Sequence, residues 1–287
     1  MNFYTMKKVN LFAILSLVFV VLACGNTKKE EQETNEYGNV LKEMFSNEAI
    51  QKSMNLGVDE MEQNLVPTFL NMGLDHETAE AKIDNLMDNI IDLYIEEMTP
   101  YVEKHMTLEE LNSCCELYSN DKYQVVLNKD IDASASNLDM HEQDLRYQEV
   151  VNAILMGEEP MPVARSAGYD DDYLALCNEY AAELEMDMMV EGDLNFFADN
   201  TPGIDSDVSQ KLIEKYARYM NENYGTEIAN LYYGYLDEQD INLMIEISKK
   251  PEMKKFQEAS KDFVNNMDES FYNKMLAMVE NLLKDLN

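Results

Sequence analysis

Between Val40 and the C-terminus, apolar side chains recur every three or four positions, the spacing that puts them on one face of an α-helix. Leu41, Met44, Phe45, Ile50 and Met54 define a first helix over 40–56, with Gly57 as its stop. Asp59 opens a second helix through Leu65, Phe69 and Leu70 that ends at Gly73. Ile83, Leu86, Met87, Ile90, Ile91, Tyr94 and Ile95 share one face of a long third helix over 75–98, and Pro100 begins a new turn. Thr107-Leu108-Glu109-Glu110 has the form of a capping box, in which the first and fourth side chains each satisfy a backbone N–H of the other. The helix behind it carries Leu111, Cys114, Cys115 and Tyr118 on one side. No segment shows clean two-residue alternation of β-branched residues, so the predicted fold class is all-α.

The pattern fades over 121–137, where "DIDASASN" reads as a loop, and returns over 138–155. The segment 157–168, with Pro160 and Pro162, is the expected linker between a helical module at 40–156 and a second at 169–287. In the second module "YDDDYLALC" opens a helix with acids at its N-terminus, where they suit the helix dipole. "ADNTPGIDSD" reads as a loop, and a helix is expected over 208–224, with Gly225 and Gly234 as punctuation.

Residues 83–126 fall on 213–256 without a gap when shifted by 130. Ile83, Tyr94, Glu97, Asn112 and Glu116 meet identical residues, but the apolar register is the stronger signal: Leu111, Cys114 and Cys115 meet Ile241, Met244 and Ile245. Asp237 and Asp240 stand where Thr107 and Glu110 stand, a second N-terminal helix signal. Two related antiparallel helical modules are therefore expected. Thr107-Leu108-Glu109-Glu110-Leu111 followed by Leu117-Tyr118-Ser119-Asn120-Asp121 resembles the bacterial domain of unknown function family 2059. The first copy has Asp121 and Tyr123 where that family has proline and glycine, whereas the second keeps Pro251 and Lys255. The resemblance covers about a third of the chain after its leader and implies a small exported helical domain, with no chemistry attached.

Ahead of these helices, Lys7 and Lys8 precede a charge-free apolar run from Leu11 to Ala23. That run is shorter than the roughly 20 residues a spanning helix needs, and has the parts of a secretory signal peptide over 1–23. Val21-Leu22-Ala23-Cys24 resembles the lipobox of bacterial lipoproteins, which implies lipidation of Cys24 and a membrane partner held through the N-terminal lipid. The polar stretch over 24–39 reads as a flexible tether. The expected location is the bacterial cell envelope, at the outer membrane, with the face left open.

Composition sharpens this picture in one respect. Without Lys7 and Lys8, 20 basic residues face 56 acidic ones, a formal charge of −36. A field of that sign disfavours nucleic acid and anionic membrane surfaces; a protein partner in the envelope is compatible with it. Cys114, Cys115 and Cys177 make an odd set, read as buried thiols, with a bridge from Cys177 to one of the others left open.

Catalytic motifs were sought and none assembles: the ten glycines never take phosphate-loop or dinucleotide spacing. His76, His105 and His141 are scattered, and no cofactor is expected. Asp205-Ser206-Asp207 has the opening of a calcium loop without its later ligands, so Asp199, Asp205 and Asp207 are weak metal candidates. Met186, Met188 and Met189 read as core. The expected function is a non-catalytic binding or structural module. The alternatives are a divalent-cation binder, or an enzyme using scattered carboxylates and one of the histidines.

Overall fold

The computed structural model describes residues 35–137, 140–166, 168–184, 206–266 and 269–284. Among them every regular element is an α-helix. In chain order these are α1 (Glu36–Phe45), α2 (Glu48–Asn71), α3 (His76–His105), α4 (Leu108–Tyr118), α5 (Asp121–Asn137) and α6 (Met140–Leu155). After them come α7 (Asp171–Glu183), α8 (Ser206–Tyr232), α9 (Glu238–Ser248), α10 (Pro251–Asn265) and α11 (Glu269–Lys284). The all-α class stands.

Several helix ends differ from expectation, each for a local reason. The first break comes at Ser46–Asn47 and not at Gly57, because the Asn47 side chain accepts from Ala49 N and starts a new helix. Gly57 is then passed inside α2, at a cost of only about 1 kcal/mol for a helical glycine. Likewise α3 runs through Pro100 to His105, its buried Thr99 donating to Ile95 O at 2.6 Å. The expected loop over 121–137 is helix α5. Asn120 accepts from the backbone of Lys122 and Tyr123, and Tyr123, Val126, Ile131 and Ala133 are buried. In that stretch tertiary burial outweighs weak propensity.

The chain divides into two compact units. Unit 1 ends at Gln124 and resumes at Lys255; unit 2 is Val125–Lys254. The division falls inside α5 and α10, not at the expected 157–168 boundary. That segment is instead tied to α8 of its own unit. Asn223 Oδ1 accepts from Val163 N at 2.8 Å, and Asn230 takes Ser166 N at 2.9 Å and donates to Ala164 O at 2.9 Å. Asn223 and Asn230 lie two turns apart on one face of α8, which lets one helix hold an extended strand of backbone.

In unit 1, α1 packs on α3 and α4, while α2 and α11 both pack on α3. Leu41, Phe45, Phe69, Ile83, Ile91 and Leu111 are almost fully excluded from solvent. Phe263, carried by α10, stands edge-on to Tyr94 with ring centroids 5.0 Å apart and meets Phe271 of α11 at 5.9 Å. Such edge contacts add about 0.5–1.5 kcal/mol each beyond the area they bury.

In unit 2, α7 packs on α8 and α9, and α6 packs on α8. Val150, Val151 and Ile154 of α6 close against Leu212, Tyr216 and Tyr219 of α8. At Gly225 α8 passes close against α7: a Cβ there would stand 2.8 Å from the Cα of Asn178. Backbone cannot yield as a side-chain tip does, so this approach requires glycine even though α8 continues through it. Gly225→Ala is expected to lower stability by about 1–3 kcal/mol, despite alanine's better helix propensity. A urea denaturation midpoint at or above that of the parent protein would show that the two helices separate more easily than their spacing implies.

Candidate functional site

The two capped turns are built alike. Thr107 N donates to Glu110 Oε2 at 2.9 Å while Glu110 N donates back to Thr107 Oγ1 at 3.3 Å. In unit 2, Asp237 N donates to Asp240 Oδ2 at 2.9 Å and Asp240 N to Asp237 Oδ1 at 3.0 Å. Each fourth-position acid has a second partner. Lys255 Nζ of α10 donates to Glu110 Oε1 at 2.6 Å, and Lys129 Nζ of α5 donates to Asp240 Oδ2 at 2.5 Å. The Lys255 ammonium first, and the Thr107 N–H next, hold the Glu110 carboxyl down to about 2. These four residues are therefore organised for structure: Glu110 engages both carboxylate oxygens, and Asp240 takes both of its partners on Oδ2.

The remaining candidates are dispersed. His76 and His105 stand at the two ends of α3, roughly 43 Å apart along its axis. His76 pairs with Glu80 at 3.1 Å; His105 Nε2 meets Asp262 Oδ2 at 2.9 Å beside Lys104 Nζ at 2.6 Å. His141 lies on α6, its side chain outside what the structure describes. Asp199 and Asp205, with Met186, Met188 and Met189, lie outside the described residues; Asp207 is placed in the first turn of α8 by its backbone alone. Cys24 also lies outside them. Among the described residues no three His, Cys, Asp or Glu side chains converge as a metal site. Cys114, Cys115 and Cys177 are buried thiols, and burial pushes Cys177 up to about 12, far from reactive thiolate.

Unit 2 also holds half-buried ionisable groups that no motif announced. Burial raises the Asp130 carboxyl, opposed by a hydrogen bond from the Tyr232 hydroxyl. Tyr232 packs against Tyr180 with ring centroids 6.3 Å apart. Burial likewise raises Glu227, opposed by Arg146, whose Nη1 lies 3.4 Å from Glu227 Oε1.

A groove of about 770 Å³ opens in unit 1, between the N-terminal half of α3 and the end of α11. Its described lining combines the aliphatic Ala81, Leu86, Met278 and Leu282 with Glu77, Thr78, Lys82, Asn85, Asn89 and Asn281. Asn89 Nδ2 donates to the Asn85 carbonyl at 2.7 Å and to Asn85 Oδ1 at 3.0 Å, which orients both carboxamides along one helix face. These asparagines were missed in the sequence, where one polar residue per turn on an otherwise charged face looks like ordinary solvation. A smaller recess of about 180 Å³ in unit 2 lies under Pro160 and Pro162, where Arg218 pairs with Glu159 at 3.0 Å.

No family model, curated protein or solved structure matches the chain. What the site can do therefore rests on its own groups. Among its described lining residues the groove offers three carboxamides, from Asn85, Asn89 and Asn281, beside aliphatic side chains.

Three outcomes check these assignments. Thr107→Ala should cost about 1 kcal/mol in urea denaturation, the usual worth of an N-cap side chain. The Glu110 contribution, with its native pKa below the unfolded value, is present above the ordinary glutamate range and lost as pH falls through about 2. Lys255→Gln should move the Glu110 carboxyl resonance titration toward the ordinary range; an unmoved titration would mean the lysine does not set it. Asp130 has the opposite sign. Its native pKa lies above the unfolded one, so stability falls as pH rises through that interval and the penalty is complete above it. Asp130→Asn should raise the denaturation midpoint at neutral pH, with the gain shrinking in acid; a lowered midpoint at neutral pH would contradict this.

Proposed function

We propose that this chain is a lipid-anchored protein of the bacterial cell envelope that acts by binding, built from two diverged copies of one helical element. The anchor rests on Val21-Leu22-Ala23-Cys24 and the charge-free run before it. The polar residues between Cys24 and α1 separate the lipid from the folded part, so the helices work as a tethered module. No described helix is long and apolar enough to cross a membrane.

Support for two copies comes from register. Helices α8, α9 and α10 begin 130 residues after α3, α4 and α5, and α9 repeats the length of α4. Leu111, Cys114 and Cys115 are buried, as are Ile241, Met244 and Ile245. Asn112 and Asn242 each donate to the carbonyl four residues back, at 2.8 and 2.7 Å. The match loosens on the long helices: Ile83 and Ile90 are buried, whereas Ile213 and Met220 are half-buried. The likeness of 107–121 to family 2059 is in keeping with this reading.

Binding in place of catalysis is the reading the groove between α3 and α11 carries. Its lining is chiefly carboxamide and aliphatic, groups that exchange no proton near neutral pH. Cys24→Ser should leave the protein unprocessed or move it from the membrane to the soluble fraction, with loss of lipid label. Retention of lipid label by this variant would refute the anchor.

A further inference from the structure

Methionines occupy both extremes of exposure in this chain. Met44, Met98 and Met244 are buried among the helices, whereas Met156 and Met161 of unit 2 are 76% and 86% exposed. Backbone fixes each exposed position without help from the side chain. Gly157 N donates to Ile154 O at 3.0 Å and Glu158 N to Ala153 O at 2.8 Å, with Gly157 at φ +79°. These are the paired bonds of a helix end closed by a left-handed glycine, so α6 terminates with no work from the Met156 side chain. Met161 lies between Pro160 and Pro162, whose rings restrict their own φ and the residue before each. The chain is also pinned on either side of it. Arg218 donates to both oxygens of Glu159, at 3.2 and 3.0 Å, and Asn223 Oδ1 accepts from Val163 N at 2.8 Å. Held at Glu159 and Val163, this backbone presents the Met161 thioether to solvent.

We propose that Met156 and Met161 form a surface oxidation site, taking one oxygen from a neutral hydroperoxide and releasing it again to a thiol reductant. The sulfur lone pair attacks one peroxide oxygen and the O–O bond breaks. The proton on the transferred oxygen passes to the departing oxygen, which leaves as water or an alcohol. The thioether is oxidised by two electrons to a sulfoxide, and the peroxide is reduced by two. In the return step two thiols supply two electrons and two protons, become a disulfide, and the oxygen leaves as water. Charge selects the class of oxidant. A formal charge of −34 repels anionic oxidants and leaves a neutral peroxide unopposed. Position decides the consequence. A sulfoxide is polar and disrupts a core, but neither exposed thioether belongs to one, so the fold survives the change.

The test treats the full chain with hydrogen peroxide and follows each methionine by peptide mass spectrometry. Met156 and Met161 should convert first, with Met44, Met98 and Met244 at least ~10-fold slower, because a buried sulfur reacts only through local opening. In urea the rates should converge, by acceleration of the buried residues alone. A pair of sulfoxide reductases, one for each sulfoxide epimer, should restore both thioethers in the folded chain when supplied with a dithiol. Equal rates for exposed and buried residues in the folded chain overturn the proposal. So does acceleration of Met161 by urea to the degree seen for Met44, or a sulfoxide at either position that the reductases leave in place. The denaturation midpoint supplies an independent reading. A drop on oxidation that the double variant Met156→Leu with Met161→Leu abolishes would show that these thioethers support the fold, and would overturn the proposal as well.

Discussion

One carboxylate at the start of each eleven-residue helix serves two partners at once, and the architecture turns on it. Glu110 closes its capping box through one oxygen and receives Lys255 on the other. Asp240 closes its own with Asp237 and receives Lys129. The cap fixes where α4 and α9 begin, and so fixes the angle at which the chain leaves each long helix. The lysine marks which third helix docks beside that turn. In unit 1 it is α10 that docks beside the turn at 107; in unit 2 it is α5 that docks beside the turn at 237. Thus α10 supplies the lysine at the turn before α4, and α5 supplies the lysine at the turn before α9. An exposed ion pair is worth about 1 kcal/mol or less, so these lysines select pairing more than they stabilise it.

The same logic governs the rest of the charge. With 22 basic residues to 56 acidic ones, the cations are placed where they link elements distant in sequence. Lys104 and His105 reach Asp262, Lys254 reaches Glu183, and Lys274 reaches Glu97. The groove between α3 and α11 stands apart from this economy of cations because its lining is nearly uncharged.

Much of this was legible in the chain. Helical periodicity identified the all-α class, since apolar spacing of three and four dictates which face is buried before any neighbour is known. Thr107 with Glu110, and Asp237 with Asp240, announced helix starts because a cap is a contact between residues three apart. The register of 111–115 against 241–245 was readable for the same reason: core positions on a short helix tolerate only apolar side chains. That Asn85, Asn89 and Asn281 line one groove was not readable, because exposed asparagine has no signature until the element opposite it is known.

What the sequence by itself determined is local: helix type and capped turns. What only tertiary structure decided is where helices end and what they pack against. Segment 121–137 looked like a loop and is helix α5, because Val126, Ile131 and Ala133 find burial that propensity does not foresee. The segment over 157–166 looked like a linker and is bound along α8, because Asn223 and Asn230 satisfy its backbone. Gly225 looked like a stop and is a crossing point, because its missing Cβ makes room for Asn178. In each case the deciding partner lies far along the chain, and short-range pattern carries no record of it. Only the folded packing assigns the energy that settles which conformation wins.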